Sequence, residues 1–253
     1  MIAWRTKLFA FSLHFLATAV LAAIAAALIF LIWFPAPFAR MVGGTELFML
    51  VVGCDVVLGP LLSLVIYDPR KTRLALIVDY SVVGVVQLAT LVYGVYIVAG
   101  TRPVIVAFNR DRLEVVTARE INAAELAAAR APQYRSLSLG GPRYVSIEVP
   151  KADQQDALFQ SVAGNEEHQR PKFYVPYEAA LTQIRKRART IAVLEKKFPG
   201  YAPALDAALR ESGLGLNTAR WLPVHHRNGF WTAIIDPQSG RPLRYAAVDP
   251  YGP

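Results

Sequence analysis

A chain of 253 residues is long enough for one large or two smaller folding units, and an apolar share of 54% is high for a soluble protein of that size. The formal net charge of +8 arises from 27 Lys/Arg against 19 Asp/Glu. These charges are mixed in sign and dispersed, which argues against a nucleic-acid partner, and the single cysteine, Cys54, excludes an intramolecular disulfide.

Apolar residues concentrate in the first hundred positions. A membrane domain is therefore expected over 1–100 and a globular domain over 101–253, joined near Gly100-Thr101-Arg102-Pro103. After a basic head (Arg5, Lys7), Leu8 to Phe34 carries no formal charge. That run exceeds the 7–15 apolar residues of a secretory signal and is long enough to span a bilayer core of about 30 Å. Trp33 and Phe34 stand where an interfacial aromatic belt would, before Pro35-Ala36-Pro37.

The first span is expected at about 8–34, a second at about 47–67 and a third at about 74–99. The second carries Asp55 and Gly59-Pro60, and it ends at Asp68-Pro69-Arg70-Lys71. Arg5, Lys7, Arg70, Lys71 and Arg73 would lie on one side of the membrane, with only Arg40 and Arg102 on the other. The positive-inside rule then places the N-terminus in the cytoplasm and residues 101–253 in the periplasm of a bacterium.

A carboxylate in hydrocarbon costs roughly 2.5–3.5 kcal/mol even on lenient scales. Asp55 lies twelve residues from Tyr67, about 18 Å at 1.5 Å per residue, close to the midplane. Gln87 reaches a similar depth on the third span. His14 and Asp79 match each other nearer the cytoplasmic side. Two pairings are expected, Asp55 with Gln87 and His14 with Asp79, either locking the bundle or turning one polar group toward a partner helix. Gly53, Gly59, Gly84 and Gly94 would allow helices to approach closely.

In residues 101–253, strands are expected at Arg102–Phe108, Leu113–Thr117, Tyr144–Val149, Trp221–Val224, Phe230–Ile235 and Pro242–Val248. Helices are expected at Ala118–Arg130, Ala152–Ala163, Pro176–Phe198 and Tyr201–Ser212. The fold class is α+β: a three-helix transmembrane bundle, then a periplasmic α+β domain with an antiparallel sheet. The run Arg185, Lys186, Arg187 and Arg189 is the densest charge, read either as a solvated helix face or as a basic surface for anionic lipid or an acidic partner. His225 and His226, adjacent on a strand end, would point to opposite faces and suit joint metal ligation poorly. No hydrolase, zincin or phosphate-loop motif occurs. Neither catalysis nor a cofactor is expected.

The segments Asp55-Val56-Val57-Leu58-Gly59-Pro60-Leu61-Leu62, Tyr67-Asp68-Pro69-Arg70-Lys71, Gln87-Leu88, Tyr93-Gly94 and Arg102-Pro103 stand out together. With Phe108 and Asp111-Arg112 they resemble the type IV pilin accessory proteins, the TfpX/TfpZ group. Leu222-Pro223, Asp236-Pro237 and the closing Asp249-Pro250 extend the resemblance, with Tyr251 where these families usually carry tryptophan. The resemblance implies a bacterial inner-membrane factor that supports pilin stability, pilus assembly or pilus dynamics. Its implied partners are the major type IV pilin, other assembly components and membrane lipid. The alternative class is a membrane-anchored periplasmic enzyme or sensor acting on pilin or envelope carbohydrate.

Overall fold

The computed structural model of the chain describes residues 2–68 and 70–252. Met1 of the expected basic head and Pro69 of the expected polar loop lie outside them. The chain divides after Thr101 into two compact units.

The N-terminal unit is helical. Helix α1 (Ile2–Leu28) continues through a π-helical turn at Ile29–Trp33, and a single turn, α2 (Phe38–Met41), precedes α3 (Gly44–Ile66) and α4 (Arg73–Thr101). Trp4–Trp33, Gly44–Ile66 and Arg73–Thr101 are each long and apolar enough to cross a membrane. Their side chains are largely exposed within the unit, as with Phe9, Leu31, Val65 and Leu74, the pattern of helices that lay apolar surface against lipid. Helix α3 packs against both α1 and α4, whereas α1 and α4 meet through few residues. The α3–α4 contact is close because Gly94 presents no side chain: a Cβ there would strike Val51.

The C-terminal unit is built on one mixed sheet. Its strands are β1 (Pro103–Asn109), β2 (Arg112–Thr117), β3 (Arg143–Ile147), β4 (Tyr174–Pro176), β5 (Arg189–Thr190), β6 (Arg220–His226), β7 (Gly229–Ile235) and β8 (Pro242–Ala246). The order is β4-β3-β1-β2-β6-β7-β8, with β5 paired to β6. Most neighbours are antiparallel, but β1–β3 and β2–β6 are parallel. The sheet is therefore mixed, where an antiparallel one is expected from turns alone. Parallel neighbours need long crossovers, and here those are residues 110–142, which include β2, and residues 118–219, which include β3, β4, β5 and intervening helices.

Helices α5 (Ala123–Ala127), α6 (Gln154–Val162), α7 (Leu181–Arg187), α8 (Ile191–Lys197) and α9 (Ala202–Ser212) cover the strands. One core cluster gathers Val104, Ile105, Ala107, Val116, Val145, Tyr134 and Tyr174. A second gathers Ile191, Leu194, Leu205, Leu209, Trp221 and Ile234.

The helix expected over Pro176–Phe198 is broken. It becomes a 3-10 turn, then α7, then β5, then α8. Arg189 and Thr190 leave the helix to pair with Trp221 and Arg220 of β6. Tertiary pairing to the part of β6 that β2 does not cover overrides the local helical preference. Likewise only Ala123–Ala127 of the expected Ala118–Arg130 helix forms. It is capped by the Asn122 side chain, which accepts from the Glu125 amide at 2.8 Å.

Candidate functional site

Four polar side chains in the spans were singled out from the sequence, and the structure brings two of them together. The His14 ring on α1 stands between α3 and α4. Its Nδ1 lies 2.5 Å from Ser63 Oγ on α3, and its Nε2 lies 2.8 Å from Gln87 Oε1 on α4. An amide oxygen can only accept, so Nε2–H donates to Gln87 Oε1, and Nδ1 shares a hydrogen bond with the Ser63 hydroxyl. Gln87 Nε2 then donates to the Asp55 backbone carbonyl at 3.2 Å. One imidazole thus ties all three helices together, with Ser63 itself buried. Gly59 makes this geometry attainable: a Cβ there would collide with the Gln87 amide.

The expected pairings differ in detail. Gln87 does reach Asp55, but at its backbone oxygen. The carboxylate oxygen Oδ2 of Asp55 is shielded and has no hydrogen-bond partner, and the same holds for the Tyr80 hydroxyl. Asp79 does not meet His14. It takes an ion pair with Lys71 at 2.6 Å. Lys71 also donates to the Ile66 carbonyl at 3.1 Å, as Lys7 does to Leu64 at 3.2 Å. The Lys71 ammonium, in the loop after α3, gives Asp79 a charge-assisted bond, and the two lysines complete carbonyls that the helix leaves open. Ser63 gave little sequence signal. It stands eleven residues before Leu74 within an apolar run, and only its depth relative to His14 could have flagged it.

Two adjoining cavities open between α1 and α4. One, of about 160 Å³, is lined by Ala22, Val52, Asp55 and Leu91 among others. The other, of about 530 Å³, is lined by Thr6, Phe9, Tyr67 and Tyr80 among others. Both include His14, Ala17 and Gly84.

In the C-terminal unit the basic run is split. Arg185, Lys186 and Arg187 form the exposed last turn of α7, where positive charge suits the helix dipole. Arg189 lies over the Trp221 ring at 5.5 Å. Arg187 also borders a cavity of about 450 Å³ beside Arg110, Arg112 and Leu158.

A charged constellation not expected from the sequence, which joins His225 to Glu114, sits on the parallel pair β2–β6. Glu114 and His225 are register partners. Glu114, 1% exposed, receives Arg112 Nε at 2.6 Å and faces His225 Nδ1 at 2.7 Å. Phe230 packs on the His225 ring at 4.8 Å, and Tyr251 packs on Phe230. Burial alone would raise the Glu114 pKa, but the hydrogen bond from His225, the charges of His168 and His225 and the Arg112 bond hold it below its ordinary 4.5. The bond to Glu114 raises His225 above 6.5, against the effect of burial. Arg112 and Glu114, two apart in a strand, share a face; that spacing was the available signal.

These shifts set a pH dependence. Raised His225 contributes stability that is full below 6.5 and is lost as pH rises through its folded value; lowered Glu114 contributes stability that is full above 4.5 and is lost as pH falls. Thermal melts of the full chain in detergent between pH 5 and 9 are expected to show the wild type losing more Tm on alkalinisation than His225→Gln. Burial lowers His226 below its ordinary 6.5 in both proteins alike, so an identical slope in the two would contradict the assignment.

Among the described residues no group of three or more His, Cys, Asp or Glu is placed to hold a metal ion.

A family model described as fimbrial assembly protein FimB matches residues 2–43. The chain is 32% identical over 228 residues, 88% of each chain, to the fimbrial assembly protein of serogroup I from Dichelobacter nodosus. The chain belongs to the fimbrial assembly protein family. The serogroup E1 protein of the same organism is 31% identical over the same shares of both chains. The protein of serogroups C1 and C2 is 37% identical over 117 residues, 46% of this chain and 89% of that one. No solved structure matches. This membership agrees with the resemblance to type IV pilus accessory proteins carried by the Asp55–Leu62 and Tyr67–Lys71 segments. It connects the chain to pilus assembly as a process, with three spans suited to hold it in a membrane.

Proposed function

We propose that the chain is a non-catalytic inner-membrane accessory factor that contacts pilin before or during assembly, through its spans and through its C-terminal unit. Its N-terminus would face the cytoplasm and residues 102–253 the periplasm, as the distribution of Arg5, Lys7, Arg70, Lys71 and Arg73 favours. The observation that carries the reading is 32% identity with a fimbrial assembly protein over 88% of both chains, spanning membrane and globular units alike. An exposed apolar trio on α6, Leu158, Phe159 and Val162, beside the Arg187 cavity supports a protein-contact surface on the globular unit.

Deletion of the gene tests the reading. Surface pili are expected to fall at least tenfold and to return with the wild-type chain in trans. Unchanged pilus number and unchanged pilin level after deletion would refute it. A fusion of a periplasm-active reporter after Tyr251 is expected to be active, and activity of a cytoplasmic reporter there would reverse the topology.

A further inference from the structure

We infer that the furrow between α1 and α4 is the seat of one apolar membrane helix of a pilin subunit, and that this helix presents a hydrogen-bond donor to Asp55 Oδ2. The inference deepens the proposed function and rests on its pilin-contact reading.

Three observations converge on a helical occupant. The first is length. On α1 the furrow is lined from Thr6 to Ala22, about 24 Å of helix at 1.5 Å per residue, most of a bilayer core of about 30 Å. A peptide segment of that depth in lipid must satisfy its own backbone, which a helix does. The second is shape. Ala10, Ala17 and Ala22 on one wall and Gly84 on the other let a backbone come close. Gly84 stands apart from Gly59 and Gly94 because a Cβ there would meet nothing within 4 Å. Gly59 and Gly94 make room for the chain's own neighbours; Gly84 makes room toward the furrow. The third is polarity. His14, Ser63 and Gln87 satisfy one another, whereas Asp55 Oδ2 and the Tyr80 hydroxyl, one at each cavity, are shielded without a partner. Lipid tails offer no donor to a carboxylate oxygen. A helix with a hydroxyl, amide or amino group at that depth would, and it would remove the cost of leaving the oxygen unpaired.

The full chain in its own membrane, co-expressed with pilin, provides the test. Gly84→Leu fills the furrow, while Gly53→Leu places the same side chain at a glycine that is also open but lies outside it. Both variants are expected to accumulate at wild-type level. Gly84→Leu is expected to lower surface pili about tenfold, and Gly53→Leu to leave them unchanged. Asp55→Leu is expected to match Gly84→Leu, and Asp55→Asn, which keeps an acceptor oxygen, to restore most of the loss. A photoreactive side chain at Ala17 or Gly84 is expected to crosslink to the apolar helix of pilin, mapped by mass spectrometry, and one at lipid-facing Leu31 or Val65 is not.

Wild-type pili with Gly84→Leu and Asp55→Leu, in a strain where deletion abolishes pili, would overturn the furrow and leave the assembly role standing. Crosslinks from Ala17 and Gly84 to a second copy of this chain, or equal yields from all four positions, would overturn it as well.

Discussion

Trp221→Ala is expected to destabilise the C-terminal unit by about 3–5 kcal/mol, the usual range for a buried tryptophan. The ring is 3% exposed and sits in β6 among Ile191, Leu194, Leu205, Leu209 and Ile234. It therefore touches elements from α8, α9 and the sheet at once, and Arg189 covers it through the β5 pairing. Truncation leaves a cavity that three separate elements would have to close together. Trp221→Phe isolates the packing contribution, because the indole Nε1 has no hydrogen-bond partner. It is expected to cost less than half as much. Chemical denaturation of the full chain in detergent, followed by fluorescence of the other tryptophans, measures both variants. Equal losses for Ala and Phe would show that ring volume is not what matters there.

Gly59→Leu is expected to damage the membrane unit most. The new side chain enters the space of the Gln87 amide, and overpacking of this kind costs about 1–3 kcal/mol. Gln87 would also surrender its bonds to His14 and to the Asp55 carbonyl, at about 0.6 kcal/mol each by the average for membrane hydrogen bonds. The two effects share one cause, so they should not add. In a Gln87→Ala background, where the colliding amide is gone, Gly59→Ala is expected to cost much less than it does alone. Detergent-titrated unfolding of the four proteins in that cycle gives the coupling. An additive cycle would mean that Gly59 and Gln87 act independently.

Much of this architecture was legible because it depends on composition and period. The three spans announce themselves as long apolar runs, and the β1–β2 hairpin as two β-branched segments about the Arg110-Asp111 turn. Ladder partners were less legible. Glu114 meets His225 only because β2 and β6 run parallel, and nothing local in either strand specifies that neighbour. The same applies to the break at Ala188: the sequence around it is helical by propensity, and the chain leaves the helix for an edge of β6. In the membrane, depth counting put Gln87 beside Asp55 to within one residue's atoms. Depth alone does not pair His14, because which face of each helix looks inward decides that it meets Ser63 and Gln87 and not Asp79. Ser63 takes His14 and Lys71 takes Asp79, a hydroxyl within an apolar run and a loop cation that depth along the spans does not single out.

The β2–β6 ladder also sets an order of events for the growing chain. Glu114 and His225 are 111 residues apart, so the middle of the sheet cannot close until nearly the whole unit has emerged. Strands β1 and β2 can pair as a local hairpin, but the outer edge of β2 then waits, with its amides and carbonyls unsatisfied, for β6 to arrive. Long-range parallel pairing is slow because loop closure precedes any gain from contact. During that interval a half-made sheet offers an open edge to any extended chain nearby. A fragment ending before Arg220 would keep that edge for good, and is expected to aggregate or be degraded, although its first core cluster, with Val104, Val116 and Val145, lies wholly upstream.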